Sequence, residues 1–336
     1  MLKFLVRQQV YLPRGESMKF LRNMTIFIFL YTTMFNSLPV GFSQEKKVSF
    51  SFNLATETGF SWGSVEELVY QEGRQISRLV WDVRWVPSLG IKGVLKYCWL
   101  IGIVEASTAF PIRSGALKDF DYLLEDPTKP SHYSWHEAYL DKDMCLGFSL
   151  GLQLPLGEIW VLVPRVGVTY QNRKWSGQNG YLQYPNTGYW TGNESQQSVA
   201  GTVISYEQAL WYPSLSLAVE WLISSPIGLS VLATWIPYLE IQALDNHFIR
   251  NPPVQFYDRL LNGMGIEGEV KLFWYNEEKY ISKESWYMKL AFRSFSVMGT
   301  TSSRTIGLGD GTFIRDSSYT AGSREIICFL TIGFLK

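Results

Sequence analysis

The chain has 336 residues, and its 30 lysines and arginines balance 30 aspartates and glutamates, so the formal net charge is zero. It lacks the basic excess of a nucleic-acid-binding protein, and nucleic acid is not an expected partner. Its three cysteines have neither zinc-type nor disulfide-type spacing, and its three histidines form no HExxH motif. The sequence therefore predicts no metal and no other cofactor.

An export signal is the first predicted element. An apolar run from Met24 to Met34 follows two basic residues and precedes small ones, which is the order of a secretory signal peptide. We expect translation to start at Met18 and cleavage to fall near Ser43–Gln44. The run is too short for a spanning helix, which disfavours the alternative of a membrane anchor. Residues 1–43 are thus predicted to be an extension and signal peptide, and residues 44–336 to form one barrel domain.

β-Strands are predicted from residue 48 onward, because apolar residues recur at every second position. The pattern is clear in Val48–Leu54 and clearest in Met144–Leu152. In Arg78–Trp85 the apolar residues alternate with mostly charged ones. A membrane barrel turns its apolar face toward lipid and keeps charges in the lumen. Trp81 and Trp85 are therefore expected to face lipid or the membrane interface.

Short turns alternate with long polar stretches along the chain. Turns are predicted at Leu154–Gly157, Ser224–Pro226 and Tyr275–Glu278, and long loops at 113–143, 175–203, 245–262 and 300–323. This asymmetry is typical of an outer-membrane barrel with long extracellular loops. The predicted fold class is all-β, a single antiparallel up-and-down transmembrane β-barrel, whose last strand closes on the first because lipid tolerates no open edge. A soluble all-β sandwich or barrel is the alternative.

Two acidic motifs carry the candidate chemistry. Asp119 and Asp121 are two residues apart, as are Asp245 and His247, so in extended strands each pair would point to one face. If both pairs line one cavity, His247 can act as a general base, Asp245 can hold its tautomer and Asp119 can position a water molecule. The two aspartates of the first motif should then titrate as a coupled pair. The alternative is two solvated polar loops.

Several motifs, taken in order along the chain, resemble those of the omptin family of outer-membrane endopeptidases. They are Gly59-x-x-x-Gly63, Glu67-x-Val69-Tyr70, Ser77-Arg78-Leu79-x-Trp81, Ile91-Lys92-Gly93, Lys118-Asp119-Phe120-Asp121-Tyr122, Ile204-x-Tyr206-x-Gln208 with Pro213, and Asp245-x-His247-Phe248. No single motif is specific, but their order and spacing together are. The resemblance covers essentially the whole chain after the predicted signal.

The resemblance implies a barrel of about ten strands in the cell outer membrane, with the active site in a groove facing the extracellular side. It implies an aspartic-type endopeptidase, as in cell-surface virulence proteases, that acts on peptides or proteins as a monomer. Asp119 and His247 would flank the nucleophilic water, Asp245 would orient His247 and Asp121 would pair with Asp119. Cleavage is expected beside basic residues, since subsite carboxylates pair with a guanidinium at short range.

One departure from the family concerns the substrate subsite. Glu67 occupies the position of an acidic subsite residue and is the predicted substrate-binding residue. Ala243, however, stands where arginine-favouring members carry a second acid. A strict preference for arginine is therefore not implied, although Glu125, Asp126 or Asp258 could substitute for the missing acid.

A second departure concerns lipid. Family members bind lipopolysaccharide through a basic patch on the outer face, but one of the matching positions in this chain holds Glu220. Arg173 and Lys174 are interpreted as an interfacial pair whose charged ends reach the headgroups. Outer-membrane lipid is an expected partner, whereas dependence on lipopolysaccharide is not expected.

Two other functions stay open at this stage. The chain could be a catalytically impaired barrel that acts as a surface adhesin or binds host proteins through its loops. A porin is the weaker option, because a ten-stranded barrel is small enough to be filled by side chains. His132 and His136 are interpreted as polar groups of a loop.

Overall fold

The computed structural model describes residues 50–224, 226–276, 283–306 and 312–335, so the predicted signal peptide lies outside the described residues. The regular structure of the described part is entirely β-strand, and it contains no helix long and apolar enough to cross a membrane. The strands are β1 (Phe50–Gln71), β2 (Arg74–Tyr97), β3 (Leu100–Ala109), β4 (Ile112–Asp121), β5 (His132–Leu152), β6 (Leu154–Leu156), β7 (Trp160–Gln183), β8 (Gln197–Ser198), β9 (Thr202–Ser224), β10 (Ile227–His247), β11 (Val254–Asn276), β12 (Lys283–Thr305) and β13 (Tyr319–Leu335).

The strands form one closed antiparallel ring. β3 and β4 both lie between β2 and β5 and together fill a single position, which gives ten strands around the barrel. β1 pairs with β13 from Ala55 opposite Leu335 to Gln71 opposite Tyr319. This pairing leaves no open edge, as lipid requires. The predicted up-and-down barrel of about ten strands is confirmed.

The two ends of the barrel differ. The start of β1, the end of β13 and short connections such as 98–99 and 157–159 lie at one end, which we call the terminal end. The connections 122–131, 184–201 and 248–253 lie at the other, which we call the loop end. The long loops predicted from sequence are too long, because most of 113–143 belongs to β4 and β5. Polar residues there are paired in strands that continue beyond the apolar part of the barrel.

An apolar band surrounds the outer face toward the terminal end. Phe52, Leu146, Phe148 and Leu290 are among its exposed members. The lumen at this level holds ion pairs, with Lys92 Nζ 2.7 Å from a Glu105 oxygen and Lys289 Nζ 3.1 Å from a Glu57 oxygen. Apolar side chains outside and charges inside are the arrangement of a barrel embedded in lipid. The alternation predicted in Met144–Leu152 is confirmed.

In Arg78–Trp85 the alternation is reversed: the apolar side chains face the lumen and not the outside of the barrel. Leu79, Trp81 and Val83 are buried inside the barrel, and Arg84 is exposed. This part of β2 lies beyond the apolar band, where the lumen is packed with aromatic rings. The expectation that Trp81 faces lipid is wrong. A β-bulge, where Trp85 has a φ of 51°, then shifts the phase and leaves Trp85 62% exposed on the outer face.

A buried charge cluster separates the lower lumen from the loop end. Glu325 accepts hydrogen bonds from Arg173 and, at 2.5 Å, from Nε of Arg293. Gln171 accepts from both arginines, at 2.7 and 2.9 Å. Arg173 is 1% exposed. The interpretation of Arg173 as an interfacial residue reaching the headgroups is therefore wrong, because its guanidinium lies inside the barrel.

Candidate active site

The four predicted catalytic residues lie at the loop end, beyond the apolar band. Asp119 and Asp121 close strand β4, and Asp245 and His247 close strand β10. Asp119 lies close enough to Asp245, and Asp121 close enough to His247, for each pair to interact electrostatically. Two walls of the barrel therefore bring their polar ends to one groove, which is the geometry that the sequence motifs require.

Asp245 and His247 form a dyad. Nε2 of His247 is 2.5 Å from Oδ2 of Asp245, and the His247 ring meets the Phe256 ring edge to face at 5.4 Å. The Asp245 side chain is 2% exposed and that of His247 is 14% exposed. Because Asp245 accepts a hydrogen bond from Nε2, Nδ1 is the nitrogen that can take up a proton. The dyad thus has the arrangement of a general base held by a carboxylate.

Asp119 and Asp121 form the facing acid pair. Ser77 donates a hydrogen bond from Oγ to Oδ1 of Asp119 at 3.3 Å. Burial, and then the neighbouring Asp121 carboxylate, raise the pKa of Asp119 well above its usual range. Burial also raises the pKa of Asp121, against the opposing effect of His132, Arg250, Ser77 and His247. The pair therefore holds a proton more readily than two separate aspartates would.

Deeper in the lumen lies a second set of carboxylates. Glu67 on β1 is 2% exposed and Asp258 on β11 is 3% exposed. Burial, then the charges of Asp245 and Asp258, raise the pKa of Glu67 well above its usual range. Burial raises the pKa of Asp258 to about 7, although a hydrogen bond from Thr301 acts in the opposite direction. Glu67 is thus a lumen residue next to the dyad, not a solvent-facing acid at the rim.

Aromatic rings form one side of this deeper region. Trp81 stacks with Tyr206, their ring centroids 6.2 Å apart and their planes at 9°. Trp175 stacks with Tyr206 at 6.3 Å. Gln208 donates hydrogen bonds to the Tyr206 hydroxyl at 2.9 Å and to Oγ of Ser323 at 3.0 Å. These contacts hold a rigid polar and aromatic wall beside the carboxylates.

Three residues near the acid pair were not found from the sequence. His132 lies directly opposite Asp121 where β5 pairs with β4, and its ring meets that of Tyr184 edge to face at 4.7 Å. Arg250 interacts electrostatically with both acids of the pair. The hairpin pairing of β4 with β5 is the signal that could have found His132, because a 122–131 connection brings the two strand ends together.

The interpretation of both histidines as loop groups is wrong. His132 and His136 belong to β5. His136 is buried, and its two ring nitrogens lie 2.6 Å from the Asn179 carbonyl oxygen and 3.0 Å from Oγ of Ser134. Burial lowers the pKa of His136. Its contacts are those of a hydrogen-bonded core residue.

The closed ring, the apolar outer band and the charged lumen define the chain as an outer-membrane β-barrel. The Omptin family sequence profile matches residues 48–334. The chain belongs to the omptin family.

A solved outer-membrane protein shares the fold. The outer membrane protease OmpT from Escherichia coli superposes with a TM-score of 0.70 at 14% sequence identity, over 87% of this chain and 100% of that chain. The translocator domain of the autotransporter NalP from Neisseria meningitidis gives a TM-score of 0.30 at 8% identity, over 93% of this chain and 97% of that chain. The beta domain of the Bordetella autotransporter BrkA gives a TM-score of 0.32 at 8% sequence identity, over 85% of this chain and 98% of that chain. Curated protein sequences give no match.

Proposed function

We propose that the protein is an endopeptidase that hydrolyses peptide bonds next to basic residues with a water molecule activated between the two motifs. The observation that carries this proposal is the approach of the β4 acid pair to the β10 dyad across the groove. We assign catalytic roles to Asp119, Asp121, Asp245 and His247. With the loop end outside the cell, the groove would meet extracellular peptides and proteins.

The reaction follows from the roles of these groups. Nδ1 of His247 takes a proton from the water as its oxygen attacks the carbonyl carbon, and Asp245 stabilises the resulting imidazolium. The Asp119–Asp121 pair, which shares a proton, holds the water by accepting one of its hydrogen bonds. His247 then gives its proton to the leaving amine as the carbon–nitrogen bond breaks. The nucleophile is water, so no acyl-enzyme forms.

Preference for basic residues is proposed from the charge of the groove. Glu67 and Asp258 add buried carboxylates beside Asp245. A guanidinium or ammonium group entering this region gains charge-assisted hydrogen bonds, and its own charge would favour the ionised form of the acids. Glu67 is therefore proposed as a substrate-binding residue.

Cleavage by the refolded barrel in detergent micelles tests the proposal. We expect peptides with basic residues to be cut, and serine-directed reagents and chelators to have no effect. Asp119→Ala and His247→Ala should each abolish turnover, whereas Asp316→Asn at an exposed position is the matched control and should cleave normally. Unchanged turnover in both active-site variants would refute the assignment.

A surface-binding barrel without catalysis is the second candidate, and Ala243 is the residue that favours it. It would bind host proteins through its loops and keep the lumen acids as structural charges. This function predicts binding that survives Asp119→Ala together with no peptide cleavage at any pH. The same set of variants therefore separates the two candidates.

A further inference from the structure

An open cavity of about 300 Å³ lies in the outer face of the barrel, where strands β2, β4 and β5 meet. The residues that line it are Arg84, Arg113, Ser114, Gly115, Ala116 and Trp135. It coincides with an interruption in the barrel wall, because β2 pairs with β4 as far as Trp81 and with β3 only from Ser88 onward. A ligand that contacts both arginines would therefore bridge β2 and β4 where the sheet ladder does not.

Exposed apolar side chains place the cavity at the edge of the apolar band. Trp85 follows Arg84 on β2, Ile112 precedes Arg113 on β4, and both apolar side chains are exposed. β2 runs toward the terminal end and β4 toward the loop end, so each apolar residue lies on the terminal-end side of its arginine. Tryptophan followed by arginine in this direction is typical of the level where hydrocarbon gives way to lipid headgroups.

Two irregularities in the strands bring the arginines to this cavity. The bulge in β2 leaves the consecutive residues Arg84 and Trp85 both exposed, and a register shift between Arg113 and Gly115 interrupts the pairing of β4 with β5. Gly115 has a φ of 141°, and a Cβ at this position would lie 2.8 Å from Cβ of Asp82 and 3.3 Å from Cγ of Arg84. Glycine thus leaves the space that the Arg84 stem occupies.

Each arginine is held by a carboxylate that lies behind it. Nη2 of Arg84 is 2.5 Å from Oδ2 of Asp82, and Nη1 of Arg113 is 2.9 Å from Oε1 of Glu137. The arginine side chains are 63% and 49% exposed, whereas those of the acids are 11% and 24% exposed. A guanidinium has five N–H donors, so each arginine is oriented by its acid and keeps donors for an anion in the cavity.

The charges and the apolar surface together select the ligand. Lys118, with Nζ 3.3 Å from Oδ1 of Asp82, gives this cluster a third cation against two carboxylates, so one negative charge would balance it. The arginine fork matches the oxygens of a phosphate group. Trp135, stacked on Tyr181 at 5.9 Å, forms an apolar wall, and Trp85 continues it toward the apolar band. A lipid with an anionic phosphate headgroup would use both surfaces.

We propose that this cavity binds the phosphate headgroup of an anionic membrane lipid, with Arg84 and Arg113 as its ligands and the acyl chains along Trp85 and Ile112. Bound lipid would join β2 to β4 and fix the depth of this wall in the membrane. The site is independent of the proposed endopeptidase function. It is also separate from the basic patch of the family, one of whose positions is Glu220 on β9.

Titration of the barrel in detergent micelles with phosphatidylglycerol, followed by native mass spectrometry, tests the site. We expect Arg84→Gln combined with Arg113→Gln to lower the affinity about 10- to 100-fold relative to wild type, as loss of charge-assisted hydrogen bonds implies. Arg84→Lys combined with Arg113→Lys keeps the charges without the forks and should give an intermediate affinity. Arg324→Gln is the matched control, because Arg324 is exposed near Ile326 on β13 but does not line the cavity.

Equal affinity of the wild type and both double variants would show that the lipid binds elsewhere on the barrel and would overturn the site. If the glutamine variant does not refold, the lysine variant decides in the same way. Phosphatidylcholine and inorganic phosphate identify what is recognised, and both should bind more weakly than phosphatidylglycerol. Equal binding of phosphatidylcholine would indicate the apolar surface alone, and equal binding of inorganic phosphate would indicate a small-anion site. Either result would contradict an anionic-lipid site.

Discussion

Asp121 and His132 are directly opposed residues of paired strands β4 and β5, so the acid pair has a basic neighbour on its own wall. Arg250, from the 248–253 connection, provides a positive charge near both acids. Burial raises the pKa of both acids, and the Asp121 carboxylate raises that of Asp119 further; Arg250 lowers the pKa of both, and His132 lowers that of Asp121. The ionisation of the pair therefore depends on residues outside the two catalytic motifs.

Arg250→Gln is expected to move the acid limb of the kcat/KM profile to higher pH. Arg250 lowers the pKa of Asp119 and of Asp121, so its removal raises both and the ionised form is lost at a higher pH during acidification. A pH–rate profile with an arginine peptide measures the shift. Arg113→Gln, which removes a cation paired with Glu137 at 2.9 Å, is the control. An acid limb at the same pH in all three proteins would contradict the electrostatic role of Arg250.

Asp258→Asn is expected to change how stability depends on pH. The pKa of Asp258 is raised from an ordinary value near 3.8 to about 7, so between these values the folded barrel holds a proton that the unfolded chain has released. Stability from this residue is therefore lost as pH rises from about 4 to about 7. Each pKa unit corresponds to about 1.4 kcal/mol, so the variant should gain roughly 1–4 kcal/mol relative to wild type between pH 4 and pH 8.

Urea unfolding in detergent micelles at the two pH values measures this difference. The matched comparison is Asp126→Asn, whose side chain lies in the exposed 122–131 connection. A stability difference between Asp258→Asn and wild type that stays constant with pH would show that Asp258 has an ordinary pKa in the folded barrel.

The sequence predicts strand orientation well within the membrane, because every side chain that faces lipid must be apolar. In Met144–Leu152 every outward position must be apolar, so the period of two is plain and the outward face is unambiguous. The same rule does not hold beyond the apolar band. There Trp81 is inside and Arg84 outside, because water surrounds the wall and aromatic packing fills the lumen. Beyond the apolar band, the alternation alone does not show which side chains face the lumen and which face outward.

The site is predicted unevenly for a related reason. The i, i+2 spacing of Asp119 with Asp121, and of Asp245 with His247, follows from strand geometry and is visible in one stretch of sequence. Asp258 depends on the register of β10 with β11, and a shift of one residue would turn its side chain out of the lumen. Register across a bulged hairpin is not readable from residue types, so the sequence could offer Asp258 only as one of three substitute acids, and the structure was needed to place it in the lumen.

Trp81 and Trp85 provide a matched test of which face each residue occupies. Trp81 is 0% exposed, stacks with Tyr206 and packs at a tilt against Trp175, whereas Trp85 is 62% exposed on the outer face. Trp81→Ala should lower the free energy of unfolding by about 3–5 kcal/mol, the range for large core truncations. Trp85→Ala should lower it by much less. Equal losses from the two variants, measured by urea unfolding in micelles, would contradict the inward placement of Trp81.

Glu325→Gln is expected to destabilise the barrel strongly. Glu325 is buried and accepts hydrogen bonds from both Arg173 and Arg293, so the neutral amide would leave two guanidiniums facing each other with less compensating charge. Removing one partner of a buried ion pair costs about 3–5 kcal/mol.

The control for this change is Glu137→Gln, since Glu137 forms an ion pair with Arg113 in which both side chains are partly exposed. Exposed pairs contribute about 0–1 kcal/mol, so this variant should unfold near the wild-type urea midpoint. The comparison isolates burial, because each substitution replaces one carboxylate that is bonded to arginine. If Glu325→Gln were as stable as Glu137→Gln, the charge cluster below the site would not hold the strands of the lumen together.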